Sequence, residues 1–218
     1  MKPRRSYFYL IAALVVVFCG SYLIYRVAVP HETTTATTTK DSSVLATATA
    51  KTKKASKTTL RTPIDWQKSS ETKPYPDLAN VKDFWIKVEL KKNRTYLMSG
   101  NKVIYTMYSS GGAYHREEET GKTVSYTPTG TFYIEAERGT SFFNNSLDEG
   151  ANNWISWKDH GVYLFHSVPT DASGNYNLAE AKKLGKTPAS HGCIRLSVPD
   201  SKWMSENLPT GTKVVIKD

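Results

Sequence analysis

Two residues able to support nucleophilic catalysis sit two positions apart near the end of the chain, His191 and Cys193, inside Ser190-His191-Gly192-Cys193-Ile194-Arg195-Leu196. The chain has two cysteines, and the other, Cys19, lies in an apolar run at the N-terminus. Cys193 is therefore the single thiol of the part expected to fold. The thiolate rather than the thiol attacks a carbonyl, and an imidazole can generate it, so a lone cysteine with histidines elsewhere is a candidate nucleophile. The competing reading is an inert buried cysteine. His166 ends the apolar run Val162-Tyr163-Leu164-Phe165, a compact strand that would hold its ring in place. His115 and His160 fall in polar stretches and read as surface or lid residues. His166, His191 and Cys193 are also zinc-ligand types. No short-spaced ligand pair anchors them, so no metal is expected.

The elements that must position these residues read as short strands. Trp85 to Leu90, Thr95 to Met98 and Val103 to Tyr108 are alternating or rich in β-formers and are separated by turns. That spacing predicts an antiparallel meander rather than βαβ units. Ala113 to Ser125 is polar and reads as an exposed loop. Thr127-Pro128-Thr129-Gly130 is a turn, because proline presets φ and glycine permits positive φ; it delivers the strand Thr131 to Ala136. Gly139 to Gly161 is long for a connection and carries four aromatics, so it is expected as a lid beside the site. After His166 come a loop, a short helical stretch near Leu178 to Leu184 and the Cys193 block. A helix from Pro199 to Asn207, capped by Ser197 and stopped by Pro209, and a last strand Thr212 to Ile216 follow.

Upstream, Tyr7 to Tyr25 carries no charged side chain and follows Lys2, Arg4 and Arg5. A membrane span needs roughly 20 such residues, and the basic flank favours keeping the N-terminus in the cytoplasm. The expected organisation is a cytoplasmic 1–6, an uncleaved transmembrane signal anchor at 7–29, a disordered Thr/Ala/Lys-rich stalk at 30–80, and a catalytic domain at 81–218 outside the cell membrane. A cleaved signal peptide is the alternative. The formal net charge is +9. Residues 1–30 contribute four basic side chains and no acidic one, whereas residues 81–218 hold 17 basic against 15 acidic. A nucleic-acid protein would concentrate basic charge on its folded binding face, so no nucleic-acid partner is expected. With one cysteine, the exported part must be held by its core and not by an internal disulfide.

The block from Ser190 to Leu196, with a strand-terminal histidine before it, resembles the signature of the L,D-transpeptidase (YkuD) catalytic domain over about residues 83 to 218. The resemblance includes the Thr127–Gly130 turn and the closing strand. It implies a mainly β sandwich or barrel with one or two short helices. The 23 residues between His166 and Ser190 make this connection somewhat longer than the family pattern. By the resemblance, Cys193 forms a thioester, His166 is the base, and the Ser167 carbonyl orients its ring. Amides of His191, Gly192 and Cys193 are suitably placed to hold an oxyanion. Ser190 and Arg195 are expected at the substrate; Arg195 would pair with a carboxylate or instead brace the loop through a salt bridge.

The resemblance further implies acyl transfer on peptidoglycan stem peptides, with release of a terminal D-alanine, 3→3 cross-linking by a neighbouring amine, and a part in cell-wall organisation and cell shape. No cofactor is required. Two other readings stand beside it. One keeps the chemistry but changes the acceptor, giving an L,D-carboxypeptidase or an enzyme that anchors proteins to the wall. The other is a non-catalytic wall-binding module. The oligomeric state is not legible from one chain.

Overall fold

The computed structural model describes residues 59–218. The expected anchor at 7–29 and the first part of the expected stalk lie outside the described residues. Among the described residues, no helix is long and apolar enough to cross a membrane.

The strands are β1 (Phe84–Glu89), β2 (Arg94–Ser99), β3 (Lys102–Ser110), β4 (Tyr114–Arg116), β5 (Thr123–Ser125), β6 (Gly130–Tyr133), β7 (Arg138–Asn144), β8 (Glu149–Lys158), β9 (Tyr163–Ser167), β10 (Ile194–Leu196) and β11 (Lys213–Lys217). Two helices, α1 (Leu178–Ala181) and α2 (Val198–Asn207), flank β10 in sequence. One sheet runs β6-β11-β1-β2-β3-β10-β9-β8-β7, and β4 and β5 pair separately. The chain leaving β6 turns back onto β8: Glu135 N donates to Ser156 O at 2.9 Å and Ser156 N to Glu137 O at 2.8 Å. The sheet thus curls on itself, and the fold is the mainly β architecture expected.

The expected meander is present: β1, β2 and β3 pair antiparallel. Beyond it, β9 and β10 are parallel. A parallel pair needs a crossover of a dozen or more residues, which is what the chain from Val168 through α1 to Cys193 supplies. The stretch Ala113–Ser125 forms the β4–β5 hairpin. Gly139–Gly161 is not a loop but most of the β7–β8 hairpin. Its outward side chains are polar or aromatic, so it lacks the simple apolar alternation that marks a half-buried strand.

The core lies on the inner face of this sheet. In β1 only Ile86 and Val88 are buried, with Trp85, Lys87 and Glu89 on the other side, the period of two that a pleated strand imposes. Phe165, Ile155, Trp157, Leu97, Met107 and Met204 join them in one cluster; burying each such side chain contributes roughly 1.5–3 kcal/mol. Helix α2 packs over β8 and β9. Ser197 caps it, its Oγ accepting from Asp200 N at 3.2 Å.

The folded region begins well before residue 81, so residues 59–80, more than two-fifths of the expected stalk, are part of the domain. Ile64 and Trp66 pack beside Tyr108, Val168 and Leu184. Asp200, fully buried, accepts from Ser70 Oγ at 2.5 Å and Tyr75 Oη at 2.7 Å. The Glu71 carboxylate, 3% exposed, accepts from Thr106 N at 2.7 Å. The segment holds few large apolar residues. Each of those is inserted into the domain, and buried polar bonds fix the backbone between them.

Candidate active site

The site is built by the register of β9 and β10. Ile194 lies opposite Phe165, Arg195 opposite His166 and Leu196 opposite Ser167. Side chains alternate across a strand, so Phe165, Ile194 and Leu196 enter the core, all at 0% exposure. Leu164, His166, Cys193 and Arg195 share the opposite face. His166 and Cys193 are diagonal neighbours there, their Cα atoms on the order of 8 Å apart from the strand spacing and rise. That distance is within reach of a side chain as long as histidine. His166, Leu164 and Cys193 border one cleft of about 690 Å³. Phe142, Trp154 and the tip of the β7–β8 hairpin form its other wall. Phe142 meets the His166 ring edge-on, centroids 5.7 Å apart. The stretch expected as a lid is therefore beside the site, as a hairpin.

The loop that presents Cys193 is pinned at several points. Ala189 N and Ser190 N both donate to Gly111 O, at 2.9 and 3.0 Å, and Ala113 N donates to Ser190 O at 2.9 Å. Ser190 Oγ donates to Cys193 O at 2.5 Å and accepts from Gly192 N at 3.1 Å. Thr127 Oγ1 donates to Gly192 O at 2.8 Å while accepting from Gly112 N at 2.7 Å. Gly192 has φ +140°, and a Cβ there would stand 2.8 Å from the Tyr163 ring and 3.1 Å from Tyr126 O. Only glycine lets the chain pass.

His166 is 2% exposed, and its Nδ1 lies 2.6 Å from Ser167 O. A carbonyl can only accept, so Nδ1 carries the proton and a neutral ring keeps its lone pair on Nε2. Burial, helped by the Arg195 charge and opposed by the Ser167 carbonyl, pulls this imidazole down to about 3. Burial pushes the Cys193 thiol up to about 11, against the pull of the Leu164 amide and the Arg195 guanidinium. The sulfur remains half-buried at the cleft and points its hydrogen at Val162 O, 3.6 Å away. The free site is thus a neutral thiol beside a neutral imidazole, with the sulfur's hydrogen bond going to the Val162 carbonyl and not to the ring.

Arg195 does not reach substrate space. It is 2% exposed, its Nη2 lies 2.6 Å from Glu149 Oε2 and its Nη1 2.7 Å from Glu180 Oε2. Of the two roles expected for it, the bracing salt bridge is the one present. Ser190 is 3% exposed and spends its hydroxyl on the loop's own backbone. The Gly192 amide is taken by Ser190 Oγ, which leaves His191 and Cys193 as the local amides to consider for an oxyanion. His191 is exposed at the cleft mouth. His160 sits in the turn after β8 against Glu137, Nδ1 to Oε1 2.8 Å, and lines no part of this cleft. His115 stacks on Tyr126 at 4.1 Å.

Sequence reasoning missed Thr127, Glu149 and Glu180. The Thr127 turn was legible, but its hydroxyl bond to a peptide 65 residues on was not. The two carboxylates lie 46 and 15 residues from Arg195.

Residues 83–216 match the YkuD family, the L,D-transpeptidase catalytic domain. A Bacillus subtilis (strain 168) protein named "Putative L,D-transpeptidase YciB" is 48% identical over 158 residues, covering 72% of this chain and 77% of its own. Among solved structures, a fused Zn-dependent amidase/peptidase/peptidoglycan-binding-domain protein from Clostridium acetobutylicum ATCC 824 is 30% identical. It covers 62% of this chain and 51% of its own, with a TM-score of 0.42. An L,D-transpeptidase from Mycobacterium smegmatis is 18% identical, covering 62% and 59%, with a TM-score of 0.46. The chain spans about half to three-fifths of those two structures' lengths. With the family signature over residues 83–216 and a relative at 48% identity, the chain belongs to the L,D-transpeptidase (YkuD) catalytic-domain family.

Proposed function

We propose that the protein is a cysteine acyltransferase of the cell wall that forms 3→3 cross-links between peptidoglycan stem peptides. Cys193 sulfur attacks the carbonyl of the third stem residue as its proton passes to His166 Nε2. Two local amides, of His191 and Cys193, hold the resulting oxyanion. Collapse breaks the C–N bond, and the imidazolium returns the proton to the departing D-alanine amine, leaving a thioester. An amine of a neighbouring stem then attacks the thioester, loses its proton to His166 and releases the thiolate, which is reprotonated. Burial disfavours the charged form of both the thiol and the ring in the free site, which favours passing the proton to Nε2 as the S–C bond forms. A preformed thiolate–imidazolium pair is not needed. The N-terminal run, as a signal anchor, would place this chemistry on the wall side of the cell membrane.

The observation that carries the reading is the shared sheet face: Cys193 and His166 are diagonal neighbours bordering one cleft, with the ring's Nδ1 held by Ser167 O. The test is product analysis. Full-length protein is incubated with disaccharide-tetrapeptide and the products are resolved by mass spectrometry. Dimers linked 3→3 with loss of one D-alanine are expected. Hydrolysed tripeptide without dimers would replace the cross-linking claim with a carboxypeptidase.

A further inference from the structure

Away from the catalytic cleft, Glu135, Glu137 and His160 come together where the chain leaving β6 runs beside β8. One donor atom from each lies within 4.8 Å of the others. Glu135 and Glu137 are two apart on an extended segment, so both carboxylates fall on one side of it. The turn after β8 curls back over them. His160 N donates to Glu135 Oε2 at 2.9 Å, and Ser156 Oγ donates to the same oxygen at 2.6 Å. These bonds orient the carboxylate and turn its Oε1 towards the ring, 4.0 Å from His160 Nε2. Glu137 Oε1 lies 2.8 Å from His160 Nδ1, so each ring nitrogen faces a carboxylate oxygen. A neutral ring carries one proton. With that proton on the Glu137 side, the Nε2 lone pair faces an anionic oxygen across a gap too long for a hydrogen bond. An imidazolium or a metal ion answers this arrangement, and two further observations favour the ion. Glu137 Oε2 is shielded from solvent and has no hydrogen-bond partner among the described residues. The open hollow of about 610 Å³ that the three residues border also takes in Trp157, 1% exposed, whose buried indole N–H likewise has no acceptor among them. A hydrated cation meets both needs, with charge for the oxygen and a water oxygen for the N–H. The basic neighbours in sequence are engaged elsewhere, Arg138 on the Ser205 and Leu208 carbonyls and Lys158 on Asp159.

We propose that Glu135, Glu137 and His160 form a divalent-cation site of the zinc class that staples the turn after β8 to the segment leaving β6. An imidazole with two carboxylates suits zinc and its transition-metal neighbours, whereas calcium and magnesium take oxygen ligands. Zinc–ligand bonds of about 2.0–2.2 Å set tetrahedral ligands about 3.3–3.6 Å apart. The donors therefore need only close in by side-chain rotation, and the His160 ring, 79% exposed, has room to turn. Three protein ligands leave the fourth position to water on the open side. Binding displaces the ring proton, since a ligating imidazole must be neutral. The site is structural, and no catalytic step passes through it. Its bearing on the cleft is through the backbone: the stapled turn runs straight into Val162, whose carbonyl accepts the Cys193 thiol.

Untagged full-length Cys193→Ser protein, which lacks the thiol of the folded domain, is stripped with a chelator and titrated with zinc chloride by calorimetry at about pH 8, where imidazole is neutral. One zinc ion per chain is expected, and excess magnesium should not displace it. In the same background, His160→Asn and Glu137→Gln should each weaken binding by about tenfold or more, while His191→Asn, at the catalytic cleft, should leave it unchanged. Zinc should also raise the unfolding temperature of the parent and not that of His160→Asn, and should slow amide hydrogen exchange over residues 158–162. Every effect is read as the difference with and without metal within one variant, so a variant that is merely less stable does not imitate the result. Absence of zinc binding overturns the proposal and leaves the cluster an imidazolium ion pair. Zinc held as tightly by His160→Asn and Glu137→Gln, displacement by magnesium, or binding without slower exchange in the turn overturns it as well.

Discussion

The hydroxyl of Thr127 bridges two peptides, accepting from Gly112 N at 2.7 Å and donating to Gly192 O at 2.8 Å. One side chain thus ties the end of β3 to the loop that carries Cys193. Thr127→Val should leave a buried N–H and a buried carbonyl unpaired, each costing about 1–3 kcal/mol. Thr127→Ser should recover most of that. Thermal unfolding of the three proteins checks the order.

At Gly192 the backbone conformation and the neighbouring Tyr163 ring both exclude a side chain. Gly192→Ala should lose thioester formation by more than tenfold, because the Cys193 peptide must shift to relieve the contact. The sheet lies outside this loop, so far-UV circular dichroism should be unchanged. Single-turnover acylation measures the loss.

Arg195 is held at both ends by carboxylates with little solvent. Breaking a buried pair from one side costs about 3–5 kcal/mol, so Arg195→Met should unfold at markedly lower denaturant than the parent. Arg195→Lys should remain damaged, since an ammonium cannot replace the two-ended fork.

The pH dependence follows from the two shifted groups. His166 falls from its ordinary value to about 3, so the unfolded chain binds a proton that the folded one refuses. Its contribution to stability is therefore complete above about 6.5, where both states are neutral, and is lost as pH falls from there towards 3. His166→Gln should flatten this part of the acid-unfolding curve, by an amount on the order of a few kcal/mol at its lower end. Cys193 is displaced upward to about 11. Its alkylation by iodoacetamide should therefore be slow at pH 7 and keep rising past pH 9, without a plateau near neutrality.

The candidate pair, Cys193 and His166, was legible in the sequence because the cysteine's neighbours are contiguous and His166 closes an apolar strand. Helix α2 was legible for the same local reason, a Ser197 cap at one end and Pro209 at the other. The β7–β8 hairpin was not. Phe142, Trp154 and Asn144 face a cleft, so its strands lack the apolar alternation that burial against a core imposes. The folded segment from residue 59 was missed because its anchors are a few apolar side chains, such as Ile64 and Trp66, and the bonds of Ser70 and Tyr75 to Asp200, which is 130 positions away from Ser70. The role of Arg195 was undecidable for a related reason. Its partners come from the start of β8 and from α1, and only the fold brings them together.

The account depends most on Cys193 being the atom that becomes acylated, and intact mass reads that directly. Full-length protein incubated with imipenem should gain the mass of one drug molecule. The label should map to Cys193, be absent in Cys193→Ser and form far more slowly in His166→Ala. An unmodified wild-type chain, or an adduct that persists in Cys193→Ser, would contradict it.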